Sequence, residues 1–151
     1  DGEQQLLGLL KAIADGTHGL PVVFPVHPRT AKNLREAGKT LPSMHYVDPL
    51  GYLEFNYLVK HARGVITDSG GITEETTVLG VPCLTLRDNT ERPETVTIGT
   101  NALIGTDPRK LPPALARVMA GQWKKGAIPP KWDGKAAERI VGHLKDLLAG
   151  Q

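Results

Sequence analysis

The sequence has little of several things, and each shortage excludes a class of protein. A single cysteine, Cys83, sits inside the apolar run VPCLTL, so no intramolecular disulfide staples the chain. That usage fits a reducing cytoplasm, with Cys83 as a small buried core residue. No apolar run approaches the ~18 to 20 residues of a membrane span, and the first residues lack the basic and apolar regions of a signal peptide. No membrane partner is predicted. Charge of one sign is also missing. Eighteen basic and 16 acidic residues, spread along the chain, leave a formal +2 without the basic stripe of a nucleic-acid binder. The five histidines, His18, His27, His45, His61 and His143, are scattered, and none pairs with cysteine or carboxylate at ligand spacing, so neither a metal nor a cofactor is predicted. The phosphate-binding patterns G-x-x-x-x-G-K-[ST] and G-x-G-x-x-G are both absent.

What is present is a chain of 151 residues, 40% hydrophobic and 23% charged, large enough to bury one core and read as one domain over 1–151. Its opening, DGEQQLLGLL, has no methionine and reads as the inside of a longer protein. Leu6, Leu9, Leu10 and Ile13 recur at helical spacing within Glu3 to Ala14, and the glycine-rich DGTHGLP ends that helix. PVVFPV and MHYV read as short buried strands, with a polar surface helix from Thr30 to Ala37 between them. LGYLEFNYLVKHA, with Leu50, Leu53, Tyr57, Leu58 and His61 at mixed steps of three and four, fits a helix feeding the strand GVIT. PCLTL and NALIG supply two more strands. Two helices follow, PRKLPPALARVMAG and DGKAAERIVGHLKDLLAG, joined by QWKKGAIPPKW, a proline-rich surface connection. The second carries an apolar stripe of Ile140, Val141, Leu144, Leu147 and Leu148. Short apolar strands alternating with helices predict a parallel sheet covered on both faces, an α/β doubly wound domain.

The stretch TDSGGITEE, Thr67 to Glu75, lies where such a sheet binds its ligands, at the carboxyl end of a strand opening into a helix. With Ser69 as cap of a helix from Gly70 to Leu79, the first-turn amides point outward and the helix dipole favours an anion. Gly70 and Gly71 carry no Cβ to keep a phosphate from the backbone. Glu74 and Glu75 fall in the first turns, and a carboxylate facing a sugar accepts from both ribose hydroxyls. RDNTERPE brings Arg87 and Arg92 to the end of the next strand, where guanidinium groups can neutralise a diphosphate. Singly, each has a plain alternative: a tight strand-to-helix turn, an ordinary cap, a solvated helix start. Their convergence at adjacent strand ends predicts a nucleotide site.

DSGGITEE followed by LGVPCLTLRDNTERPETVTIGTNALIGTD closely resembles the C-terminal half of the non-hydrolysing UDP-N-acetylglucosamine 2-epimerases, and FPVHPRT, PLGYLEF and WDGKAAERIVGHL resemble that family in the same order. The resemblance implies a Rossmann-like domain, the C-terminal half of a GT-B two-domain architecture, without the first strand of its sheet and without the N-terminal domain. It implies that Ser69, Gly70 and Gly71 meet the UDP phosphates, that Glu75 holds the ribose, and that Arg92 supports the diphosphate. Phe55 and the backbone near Leu50 would border the uracil. His27 resembles the family histidine near the cleft and a second, activating UDP-sugar site, although a histidine after a strand serves equally as a structural hydrogen-bonder. Thr73 stands where relatives commonly carry glutamine, and TTVLG replaces a more usual APSLG. The implied reaction interconverts UDP-N-acetylglucosamine and UDP-N-acetylmannosamine at sugar C2 by elimination and return of UDP, in a protein expected to be a homodimer. The proton-transferring carboxylates would belong to the N-terminal domain, so no catalytic residue is expected here and the chain alone should not turn over substrate. Without its first, central strand, the neighbouring strands would have unpaired backbone groups. Two other readings stay open: a UDP-sugar glycosyltransferase of the same architecture, and a nucleotide-sensing module without catalysis.

Overall fold

Helices and strands alternate along the chain because runs of period two and period 3.6 succeed one another, punctuated by glycine and proline. The computed structural model describes residues 2–149. In order they form α1 (Gly2–Gly16), β1 (Val22–Pro25), α2 (Pro28–Glu36), β2 (Met44–Val47), α3 (Tyr52–His61), β3 (Val65–Thr67), α4 (Gly70–Leu79), β4 (Cys83–Thr85), α5 (Pro93–Thr97) and β5 (Asn101–Leu103). A 3-10 turn (Pro108–Lys110), α6 (Leu111–Met119) and α7 (Ala136–Ala149) complete the chain. The expected strands all form, MHYV with its expected bounds and the other four trimmed at their ends, and α5 is an addition to the expected helices.

All pairings are parallel, but the five strands make two sheets: β1 with β2, and β3–β4–β5 with β4 central. Among the described residues β1 pairs only with β2 and β3 only with β4. Each therefore keeps an unpaired edge, as a doubly wound sheet lacking its central strand would.

The core joins both sheets through helices. Leu10 and Ile13 of α1, Leu34 of α2, Met44 of β2, Leu84 of β4 and Leu111, Leu115 and Val118 of α6 form one buried cluster. Burial of each large aliphatic side chain contributes about 1.5–3 kcal/mol. Cys83 is fully buried, which pushes its thiol pKa up. Beneath α4 the core turns polar: Thr73, Thr76, Thr77, Thr85, Thr95, Thr100 and Asn101 are all buried. The α4 threonines satisfy their hydroxyls on carbonyls of their own helix, as with Thr77 Oγ1 to Thr73 O at 2.8 Å. Gly80, at φ +71°, ends α4 in the left-handed conformation, donating to Thr76 O and Thr77 O.

One expectation needs correction. QWKKGAIPPKW is not simply a surface connection: Trp123 Nε1 donates to Thr100 O at 2.7 Å, Ala127 N to Ile98 O at 2.9 Å, Lys124 Nζ to Val96 O, and Pro129 is buried. The segment lies so close to the α5–β5 turn that a Cβ on Gly126 would meet Gly99 C at 2.6 Å and Thr100 N at 2.7 Å. Gly126→Ala should therefore cost about 1–3 kcal/mol, read as a lowered Tm, and an unchanged Tm would contradict this packing. The expected helix forms as α3, although it does not bury all the residues spaced along it. Leu53 and Tyr57 are mostly exposed, and Val59 is the buried residue, because α3 turns its other side to α4. The expected α7 stripe forms as well and is uncovered, with Ile140, Val141, Leu144, Leu147 and Leu148 all at least half exposed. The start of α7 is tied down by Asp133, which accepts from Lys135 N and from the Arg139 guanidinium. Arg139 and that amide hold the Asp133 carboxyl at about 2.

Candidate functional site

β3 delivers the chain into α4 at its carboxyl end, as a nucleotide site requires. Ser69 occupies the cap position with extended backbone, φ −88° and ψ 130°, but its hydroxyl makes no cap hydrogen bond. The expected serine cap is thus absent, because two threonines already fix the turn. Thr67 Oγ1 accepts from Ser69 N at 3.0 Å, and the Thr73 hydroxyl donates to Gly70 O at 2.6 Å. First-turn amides have no acceptor within their helix, and no side chain caps these. Neither Gly70 nor Gly71 has a positive φ, and a Cβ on either would meet nothing within 4 Å. The fold does not require glycine at these two positions, although glycine is a poorer helix former than alanine.

Beside the mouth of α4 a cleft of about 370 Å³ is lined by Glu74, Glu75, Val78, Arg92, Glu94 and Trp132. Arg92 enters it from the cap position just before α5, followed by Pro93 at the first helical position. Its guanidinium donates through Nε to Glu74 Oε1, and that carboxylate raises the arginine pKa further. The pair is roughly half exposed, so it adds little stability, but it fixes where the cation points. Glu75 faces α3, and Tyr52 Oη donates to its Oε1 at 2.9 Å. The hydrogen bond to the carboxylate raises the Tyr52 pKa, since the phenol must keep its proton to donate.

The structure thus brings Glu75 and Arg92 into one cleft, while Ser69, Gly70 and Gly71 stand at the adjacent helix mouth outside its lining. Leu50 and Phe55 are half-buried before and within the first turn of α3, which a bond from Gly51 N to Glu54 Oε2 at 3.0 Å holds in place. His27 is exposed at the end of β1, where its Nδ1 accepts from Arg29 N at 3.3 Å and caps α2. With Nδ1 as acceptor, the ring proton belongs on Nε2. Three participants escaped the sequence reading. Tyr52 and the Glu74–Arg92 pairing depend on contacts between elements and leave no local signal. Trp132, a large aromatic closing a polar connection, was the one visible hint.

Parallel strands whose carboxyl ends open into an uncapped helix, flanked by a carboxylate and an arginine, define a Rossmann-like α/β domain of the doubly wound class. The family model described as UDP-N-acetylglucosamine 2-epimerase matches residues 1–145. The chain belongs to that family. It is 40% identical over 153 residues to the UDP-N-acetylglucosamine 2-epimerase of Methanocaldococcus jannaschii, an alignment covering 95% of this chain and 41% of that protein. With the Escherichia coli K12 enzyme it shares 36% over 151 residues, covering 96% of this chain and 40% of that one. The crystal structure of the M. jannaschii epimerase in complex with UDP-GlcNAc and UDP superposes with a TM-score of 0.75 at 39% identity, over 95% of this chain and 41% of that one. The Neisseria meningitidis epimerase bound to UDP-GlcNAc gives 0.70 at 30%, over 93% and 40%. The chain therefore spans about two fifths of the length of these relatives. Of the three readings left open by the sequence, the match falls on the epimerase.

Proposed function

We propose that this chain is the UDP-binding half of an enzyme that interconverts UDP-N-acetylglucosamine and UDP-N-acetylmannosamine. The observation that carries the reading is the pair Gly70 and Gly71, placed in a helix start at a cost to the helix and with no internal reason for lacking side chains. A diphosphate approaching the bare first turn supplies that reason. In this reading the Ser69 hydroxyl and the amides of Gly70 and Gly71 hold the phosphates, and Arg92 exchanges part of its contact with Glu74 for the diphosphate. Glu75 accepts from the ribose hydroxyls while Tyr52 steadies its other oxygen. Leu50 and Phe55 border the base, and His27 presents Nε2–H towards the sugar side. The carboxylates that move the C2 proton come from outside this chain. The open edges of β1 and β3 and the bare stripe of α7 support a larger protein around it, for which the reading carries a cytoplasmic homodimer.

Product analysis of the full-length protein tests the activity: UDP-N-acetylglucosamine alone should yield the mannosamine isomer, and UDP release that needs an acceptor would refute it. Glu75→Ala tests the ribose contact and should weaken UDP binding by about 1–3 kcal/mol in calorimetry, whereas an unchanged Kd rejects that role.

A further inference from the structure

α5 has five residues, too few to hold itself helical, yet it carries Arg92 at its start in a non-helical conformation, φ −126° and ψ 71°. Something outside the helix must fix that backbone. The sheet supplies it through a buried chain of hydrogen bonds that all run in one direction. Thr85 Oγ1 on β4 donates to Asn101 Oδ1 on β5 at 2.6 Å. Asn101 Nδ2 donates to Thr95 Oγ1 at 3.2 Å, and the Thr95 hydroxyl donates to the carbonyl of Arg92 at 2.7 Å. On the other side of the residue, Arg92 N donates to Thr90 Oγ1 at 3.0 Å. Thr85, Thr95 and Asn101 are each fully or almost fully buried. Apolar side chains could fill that volume, but they would not specify an orientation, whereas a satisfied polar network in low dielectric does.

We infer that Asn101 and Thr95 are positioning residues that anchor Arg92 to the sheet and so aim its guanidinium at the diphosphate. The assignment rests on the reading of the site given above. The network is buried and acts only through the Arg92 backbone. Its orientation is set by chemistry: the Thr95 hydroxyl spends its one proton on the Arg92 carbonyl, so it needs a donor, and the Asn101 amide supplies one.

Thr95→Val removes the hydroxyl with little change of volume, and Thr95→Ser restores it. In the full-length protein, Thr95→Val should weaken UDP binding about three- to tenfold by calorimetry, and Thr95→Ser should stay within twofold of the parent. In an Arg92→Ala background Thr95→Val should cause no further loss, because the residue it positions is gone. Asn101→Asp, which cannot donate to Thr95, should reproduce the Thr95→Val loss if it folds, and the threonine pair decides the question if it does not. If Arg92→Ala leaves UDP affinity unchanged, the reading of the site fails and the inference with it. If Arg92→Ala weakens UDP but Thr95→Val does not, or costs the same in both backgrounds, the relay alone is refuted.

Discussion

Replacing Arg92 with alanine should weaken UDP binding by the full-length protein about 10- to 100-fold, roughly 1.5–3 kcal/mol, the range for hydrogen bonds to charged groups. The loss has two parts. The guanidinium no longer meets the diphosphate, and Glu74, whose charge it now offsets, becomes an uncompensated carboxylate in the same cleft. Removing both partners should therefore recover part of the affinity, since Glu74→Ala in the Arg92→Ala background relieves the repulsion. Calorimetric titration with UDP measures each step. A Kd within twofold of the parent for Arg92→Ala would show that the diphosphate is bound elsewhere.

An equally large effect is expected at Gly71, with the opposite relation to stability. A side chain there meets open space, and valine is a better helix former than glycine, so Gly71→Val should leave the Tm unchanged or slightly raised. The same side chain would stand between the first-turn amides and a phosphate, and UDP affinity should fall at least about tenfold as those contacts are lost. Stability and binding are read on one sample by thermal unfolding with and without UDP. If Gly71→Val still shows the parent's stabilisation by UDP, the helix mouth is not where the phosphates sit.

Much of the candidate site was legible because its parts are close in sequence. The strand GVIT, the glycines and Glu75 lie within a dozen residues, and the rules for strand ends and helix starts act over that range. The role expected of Ser69 as a cap failed at the same scale, since Thr67 and Thr73 took over the turn. What joins Arg92 to Glu74 and Tyr52 to Glu75 is the packing of α5 and α3 on α4, which no local pattern encodes. QWKKGAIPPKW misled for the same reason: proline content marks a chain without regular structure, not one without partners, and its hydrogen bonds reach back more than twenty residues.

By itself the sequence determined the five strands and every α-helix but α5, and it pointed to where an anion could meet the backbone, because these follow from side-chain periodicity and from glycine at a helix start. Only the tertiary structure decided which charges share a cleft, that the strands divide into two sheets, and that the α7 stripe is uncovered. Those outcomes depend on distances between residues far apart in the chain. Amphipathicity says that a face is apolar; it does not say what, if anything, lies against it.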